Sequence, residues 1–207
     1  VVVSMLDQGT TKNSKFEISS QLEGAGARLS FSNGKARVGF GGKFLSEDMD
    51  LVVGLLAEQL KIPAFDSEEL KKTKSRLITG YKKSKESTRG NALNNMLKSF
   101  YPAGHQNAAD DPDDSIQNIE KITAEDLKNY HKEAYGTGSM VFVAVGDVNH
   151  EELSALLKEN FENWKTSPLS DKKEEKRGSK AGGKTYITME DKTSTDFLVG
   201  KIGRAHV

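Results

Sequence analysis

Residues 27–40 read ARLSFSNGKARVGF, and this stretch decides the fold. Apolar and polar side chains alternate on both sides of Asn33-Gly34, which is typical of strands with one buried face. Asn-Gly is the strongest short-range hairpin signal because both residues tolerate a positive φ. The stretch therefore predicts a β-hairpin. Its predicted inward positions are Ala27, Leu29, Phe31, Ala36, Val38 and Phe40.

Helical patterns flank this hairpin on both sides. Before it, Ser14-x-x-Glu17 is a capping box that predicts a short helix to about Leu22. After it, apolar residues recur at helical spacing behind a series of capping residues. The predicted helix starts are Ser46, Ser67, Thr88, Thr123 with Asp126, and Asn149, with a short helical turn over residues 115–119.

Three later stretches have the composition of strands. Residues 139–145 predict a buried strand, and residues 185–189 and 197–200 predict two more. Residues 165–183 are rich in Lys, Glu, Ser and Gly, which predicts a linker. Helices packed against a mainly antiparallel sheet satisfy this order of elements, so we expect an α+β fold.

Composition excludes several classes of protein. The 207 residues carry 30 basic and 30 acidic side chains, and this zero net charge gives no general attraction to nucleic acid. The longest apolar run, residues 140–145, is far shorter than the roughly 20 residues of a membrane helix, so no membrane span is expected. The absence of cysteine excludes disulfides and thiolate catalysis.

The residues alone reveal no active site. His105, His131, His150 and His206 never stand four residues apart, so there is no H-E-x-x-H helix and no H-x-x-E-H helix. A surface or capping role explains the first three. No G-x-S-x-G nucleophile elbow is present either. We therefore assign no catalytic residue and no metal ligand, and the substrate-binding residues stay unknown.

Three weaker patterns have structural explanations. Residues 110–114 are rich in Asp but lack the spacing of a calcium loop, so they predict acids at a helix start. Residues 39–42 are rich in Gly without the phosphate-loop spacing, which favours glycines at a bend where a strand ends. The lysines between residues 71 and 85 predict a solvated helix face rather than a nucleic-acid interface.

Several motifs, read in order, resemble the insulinase/pitrilysin family of zinc peptidases, which includes the mitochondrial processing peptidases. Together they cover nearly all of residues 1–164. The segments that carry the resemblance are Met5-Leu6-x-x-Gly9-Thr10, Ile18 to Ala27, Leu60 to Leu70 with Pro63-x-Phe65, Tyr101-Pro102-x-Gly104-His105, Ile122-Thr123-x-Glu125-Asp126-Leu127, Val145-Gly146-Asp147-Val148 and Phe161-x-x-Trp164.

The resemblance also shows where the zinc site of the family is missing. Alignment on Gly9-Thr10 puts Val3 at the position of the glutamate that activates water and Ser4 at the position of the second zinc histidine. The third ligand would fall near Thr79 or Gly80. None of these side chains supplies a zinc ligand or a general base. The resemblance therefore implies a non-catalytic, processing-peptidase-like domain.

The family architecture implies a function for such a domain. It would shape the chamber of a zinc-dependent peptidase and bind extended peptide, while zinc would lie in a catalytic domain or partner subunit of the same family. The alternative is a peptidase-like subunit that serves assembly without proteolysis. A periplasmic or mitochondrial location follows from the resemblance alone.

The predicted domain organisation follows from these segments. Residues 1–164 form the peptidase-like domain without its first strands, 165–183 are a linker, and 184–200 open the next domain. Residues 201–207, KIGRAHV, resemble a translated sequencing adapter and are expected to be an artefact. The chain opens on Val1, so we expect a fragment truncated at both ends.

Overall fold

The computed structural model describes residues 1–34, 37–105, 107–164 and 183–200. The chain divides into two compact units. Unit 1 comprises the described residues of 1–73 and 122–164, and unit 2 comprises those of 74–121 and 183–200. The predicted linker, up to residue 182, and the predicted artefact at 201–207 lie outside the described residues.

Helices form most of the regular structure, and one antiparallel hairpin completes it, as the α+β prediction requires. The elements are α1 (Lys15–Gly24), β1 (Arg28–Asn33), β2 (Val38–Lys43), α2 (Met49–Lys61), α3 (Ser67–Lys85), α4 (Thr88–Phe100), α5 (Pro112–Lys121), α6 (Ala124–Ala134) and α7 (His150–Phe161), with 3₁₀ turns at Val3–Met5 and Ser46–Asp48.

The hairpin confirms the strand prediction and corrects the turn. Phe31 pairs with Phe40, and the last pair of the ladder is Asn33 with Val38. Asn33 therefore ends β1 instead of turning the chain, and Gly34 N–H donates to Arg37 O at 2.8 Å across a longer loop. Asn-Gly located the hairpin correctly, but the register is set by the side chains that pack inward.

The capping predictions are partly confirmed. Ser14 and Glu17 form both hydrogen bonds of a capping box before α1, and Thr123 and Asp126 do so before α6. Asn149 accepts the backbone N–H groups of the first turn of α7. The formation of these caps follows from local geometry, because an N-cap oxygen reaches only the two or three residues that follow it.

Three predicted caps are wrong. Ser46 lies in a 3₁₀ turn, and its hydroxyl donates to Asp147 O at 2.8 Å. Asp66, one residue before the predicted Ser67, accepts the N–H groups of Glu68 and Glu69. Ser87, and not Thr88, accepts Gly90 N–H before α4. In the last two cases the neighbouring residue also carries a capping oxygen, so residue type alone leaves the position open.

The buried strand predicted over residues 139–145 is wrong in two respects. Met140 and Phe142 pack inward, but Val141, Val143 and Val145 are exposed, and no ladder forms with any described residue. Residues 185–189 and 197–200 are likewise unpaired within the described part of the chain. Alternation predicts side-chain direction, whereas pairing requires a partner strand.

The core lies in unit 1 and consists of two clusters. The larger cluster packs α2 and α7 around Leu56 and Phe161, and the inner face of the hairpin covers it. The smaller cluster joins the first 3₁₀ turn to Leu70 of α3 and Leu127 of α6. The partly buried Tyr135 contacts both clusters. The strongly apolar α2 is therefore the central element of this unit.

Candidate functional site

The hairpin has two chemically different faces. Its inner face packs Leu29, Phe31 and Phe40 against the core. Its outer face begins with Arg28 opposite Lys43, and beyond this pair, in the part named here the hairpin surface, it carries only hydroxyls and hydrogens. The four residues of the hairpin surface are Ser30, Ser32, Gly39 and Gly41, with Ser30 paired to Gly41 and Ser32 paired to Gly39.

The glycines of β2 leave the backbone of this surface open. They lie within the ladder and not at a bend where the strand ends, which corrects the sequence-based interpretation. A Cβ on Gly39 would meet Ser32 Oγ at 2.6 Å, whereas a Cβ on Gly41 would meet nothing within 4 Å. Within the described residues neither outer edge of the hairpin is paired with a third strand. An extended chain can therefore reach the backbone N–H and C=O groups of an edge.

The Gly9-Thr10 motif has a structural role. Gly9 has φ +109°, which favours glycine, and Thr10 forms a bridge to Pro63. The Thr10 hydroxyl donates to the Glu58 carboxylate, and Asn13 Nδ2 donates to both carboxylate oxygens at 2.8 and 3.0 Å. This network ties the start of the chain to the last turns of α2.

A hollow of about 510 Å³ with a mixed polar and apolar lining opens beside that network. Asn13 and Gln21 line one side, and Gly54 and Glu58 of α2 line another. A Cβ at Gly54 would meet nothing within 4 Å. The hollow is wide open, and its hydrogen-bonding groups are largely satisfied by one another, so it lacks the convergent unpaired groups of a small-molecule site.

The positions that the resemblance assigns to zinc do not fit zinc. Val3 and Ser4 lie in the first 3₁₀ turn, and an aliphatic side chain and a hydroxyl are not among the usual ligands of this ion. Thr79 lies on α3, where its hydroxyl donates to Ser75 O of the same helix at 2.8 Å. Within the described residues, no three His, Asp or Glu side chains group together as a metal site would require.

Two of the histidines are buried, contrary to the surface or capping role expected from the sequence. His105 stacks on Tyr101 at 4.6 Å between ring centroids, and its Nδ1 accepts Asn107 N–H at 3.0 Å. It therefore stabilises the loop after α4. His150 begins α7, as expected, and His206 lies outside the described residues.

His131 is the more deeply enclosed histidine. Its Nε2 lies 2.7 Å from Leu60 O, and because a carbonyl can only accept, this nitrogen carries the proton. The ring stacks on Tyr135 and meets Phe65 edge-on. Burial lowers the pKa of His131, and the Leu60 hydrogen bond opposes this shift less strongly. The four-residue spacing of Leu127 and His131 on α6, repeated by Tyr135 directly after the helix, is the sequence signal for this burial.

The acidic and basic patterns take part in a helix cap and in ion pairs. Asp111 caps α5 by accepting Asp113 N–H, and Lys85 and Lys98 form ion pairs with Asp113 and Asp111. Lys71 and Lys72 pair with acids one turn earlier in α3. None of the helices in the described ranges has both the length and the hydropathy needed to cross a membrane.

Comparison with protein families covers nearly the whole chain. Residues 2–109 match the family model described as Insulinase (Peptidase family M16), and residues 121–204 match the model described as Peptidase M16 inactive domain. The first match alone spans more than half of the 207 residues.

Curated relatives agree with this assignment. The chain is 23% identical over 169 residues to the probable mitochondrial-processing peptidase subunit beta of Arabidopsis thaliana, covering 80% of the chain and 31% of that protein. It is 26% identical over 171 residues to the mitochondrial-processing peptidase subunit beta of Dictyostelium discoideum, covering 80% and 35%. The chain thus spans about a third of the length of these relatives.

Solved structures show the same fold. The peptidase M16 inactive domain from Pseudomonas fluorescens superposes with a TM-score of 0.73 at 24% identity, covering 83% of this chain and 42% of that one. A protease from Helicobacter pylori superposes with a TM-score of 0.68 at 19% identity, covering 83% and 41%. On the family match and this fold, the chain belongs to the insulinase family of peptidases, family M16.

Proposed function

We propose that this chain is a non-catalytic domain of a zinc-dependent peptidase, where it shapes the substrate chamber and binds extended peptide. The proposal rests on the sequence resemblance, which puts Val3, Ser4 and Thr79 or Gly80 at the family's zinc and base positions. The match of residues 121–204 to the M16 inactive domain supports it. Zinc and its activated water would then belong to another domain or subunit.

The hairpin surface supports the peptide-binding part of the proposal. A peptide that adds to a sheet as a further strand gains affinity from backbone hydrogen bonds, which do not depend on its sequence. Such addition requires an exposed edge and little steric obstruction. The serines and glycines of the hairpin surface provide the second condition, and the unpaired edges of β1 and β2 provide the first.

Backbone N-methylation of the peptide tests this binding mode. One fluorescent peptide would be compared without N-methyl groups, with N-methyl groups at alternate residues, and with N-methyl groups at every residue. Because successive N–H groups of a strand point to opposite sides, the alternately methylated peptide keeps one edge that can bind the hairpin, whereas the fully methylated peptide keeps none. We expect the alternately methylated peptide to bind about as well as the unmethylated one and the fully methylated peptide to bind at least about tenfold more weakly. Equal affinities of the unmethylated and fully methylated peptides would contradict strand addition.

The domain organisation is part of the same proposal. Residues 1–164 would be the peptidase-like domain, 165–183 its linker and 184–200 the opening of a neighbouring domain. The partner would be a catalytic domain or subunit of the same family, since both relatives are named as subunits of a peptidase. A role in assembly alone, the alternative, would leave peptide binding undetectable in the N-methylation experiment.

A further inference from the structure

The hairpin is locally cationic in a chain of zero net charge. Residues 24–46 contain four basic side chains and no acidic one, which leaves the rest of the chain with an excess of acids. Two of the four, Arg28 and Lys43, lie directly opposite each other in the ladder, and both are exposed. Arg37 is exposed at the loop end of the hairpin. The electrostatic field at this part of the surface therefore favours anionic ligands.

The Arg28–Lys43 pair differs from the basic residues of α3. Lys71, Lys72 and Lys85 of that helix form ion pairs with nearby acids. In the part of the chain that the structure describes, neither Arg28 nor Lys43 has an acidic partner. Like charges directly opposite each other destabilise antiparallel strands, and a carboxylate beside them would offset this repulsion. A guanidinium also binds a carboxylate through two parallel hydrogen bonds.

The position of the pair connects it to the peptide-binding surface. On the outer face of the hairpin, the next two rows of side chains beyond Arg28 and Lys43 are those of the hairpin surface. Rows on one face of a strand repeat every two residues, or about 6.7 Å. A peptide that adds as a further strand presents its own outward side chains in the same rows. One of these side chains therefore lies beside Arg28 or Lys43, depending on the edge to which the peptide adds.

On the basis of the proposed function, we infer that the hairpin selects extended peptides with an acidic side chain at the position beside Arg28 and Lys43. Single-stranded nucleic acid is another anionic chain that binds to sheets, but such binding relies on aromatic side chains that stack on the bases. Phe31 and Phe40 pack inward, and the outward rows of the ladder hold no aromatic ring. An acidic peptide is therefore the ligand that this face fits.

Three peptides test this selectivity. They are fluorescent, have blocked ends and differ only in a central Glu, Gln or Lys, and each is titrated with the full chain at low ionic strength. We expect the Glu peptide to bind about three- to tenfold more tightly than the Gln peptide, and the Lys peptide to bind least tightly. Because the charges are exposed, salt at about 0.5 M should bring the three affinities close together.

Arg28→Glu combined with Lys43→Glu provides the specific test. This double variant keeps two like charges opposite each other and reverses their sign, so the hairpin retains its internal repulsion. We expect the preference to reverse, with the Lys peptide bound more tightly than the Glu peptide. Arg28→Gln combined with Lys43→Gln should bring the dissociation constants of the Glu and Gln peptides to within about 1.5-fold of each other. Circular dichroism verifies that both double variants are folded.

Lys82→Gln combined with Lys83→Gln is the matched control. Both side chains are exposed on α3, and their replacement removes the same charge as the Gln pair in the hairpin, so the preference for Glu should persist. Equal binding of the Glu and Gln peptides by the wild type, an unreversed preference in the Glu double variant, or loss of the preference in the control would overturn the selectivity alone.

Two further outcomes are distinct from these. If none of the three peptides binds saturably, the proposed function is contradicted together with the selectivity that depends on it. If a single-stranded oligonucleotide of eight nucleotides binds more tightly than the Glu peptide, the cations of the hairpin serve nucleic acid, and the selectivity for acidic peptides is overturned.

Discussion

The two compact units differ in what stabilises them. Unit 1 contains both hydrophobic clusters, both complete capping boxes and the enclosed His131. In unit 2, Ile119 is the only buried hydrophobic side chain among the described residues, and α4 buries none of its own. Its visible contacts include the exposed ion pairs of Lys85 and Lys98.

This difference predicts that the two units differ in stability. Burial of apolar surface is the dominant favourable contribution to folding, whereas exposed ion pairs contribute little. Unit 1 should therefore behave as the stable part of the chain and unit 2 as the part that opens first. The hairpin surface belongs to unit 1, so the proposed peptide site lies on the stable unit.

The largest predicted effect compares two leucines. Leu56→Ala removes a side chain that is 3% exposed in the core of unit 1, and we expect a loss of about 2–5 kcal/mol in the free energy of unfolding. Leu93→Ala is the matched change on α4, where Leu93 is 42% exposed, and should cost less than about 1 kcal/mol. Urea denaturation measures both losses, and equal losses would remove the contrast between the units.

The second prediction concerns pH and unit 1. Because the pKa of His131 is lowered in the folded protein, the native state favours the neutral ring, and the unfolded chain binds a proton more readily. Stability should therefore fall as pH decreases through about 6.5, the ordinary value for histidine. We expect this fall to be smaller than the effect of Leu56→Ala.

Two variants isolate this effect. His131→Gln should flatten the pH dependence of the unfolding midpoint between pH 7 and about 5. His150→Gln, at an exposed histidine, should keep it. The pKa values of Asp66 and Asp126 are lowered by hydrogen bonds to their carboxylates, so their contributions are lost only as pH falls below about 4, outside this window. An unchanged profile in His131→Gln would show that another group controls it.

A smaller effect is expected at the cap of α6 in unit 1. Thr123→Ala removes the hydroxyl that accepts Asp126 N–H and should cost about 0.5–2 kcal/mol. Thr123→Ser keeps this hydroxyl and should cost less. Thermal unfolding followed by circular dichroism compares the two variants. A similar loss in both would assign the effect to packing and not to the cap.

The smallest effect is expected at the ion pairs of unit 2. Lys85→Ala breaks the contact with Asp113, in which both side chains are about half exposed, and should cost no more than about 1 kcal/mol. Salt at high concentration should reduce even this difference, because exposed charges are screened. A loss of several kcal/mol would mean that unit 2 depends on its charges more than its exposure indicates.

Local patterns in the sequence predicted local structure well. The capping boxes at Ser14 and Thr123 and the hairpin after Ala27 formed because each depends on residues within one turn or one loop. The turn of the hairpin and the caps predicted at Ser46 and Ser67 differ from the observed structure. The inward-packing side chains set the hairpin register, Ser46 donates to Asp147 O, and Asp66 caps α3 in place of Ser67.

Tertiary structure explains what the sequence could not show. Residues 140–145 alternate as a strand should, yet pairing depends on a partner that no local pattern specifies. The helical spacing of His131 to Leu127 and Tyr135 is typical of a buried position, whereas the charged neighbours Lys132 and Glu133 are typical of an exposed one. Glycine and serine carry little chemical signal, so the sequence does not predict the hairpin surface.

One measurement tests the central claim that this chain binds extended peptides without cleaving them. A fluorescent peptide is titrated with the full chain, with and without a zinc chelator, and the peptide is then examined by mass spectrometry. The account predicts saturable binding that the chelator does not change, and recovery of intact peptide. Chelator-sensitive cleavage, or the absence of saturable binding, would contradict it.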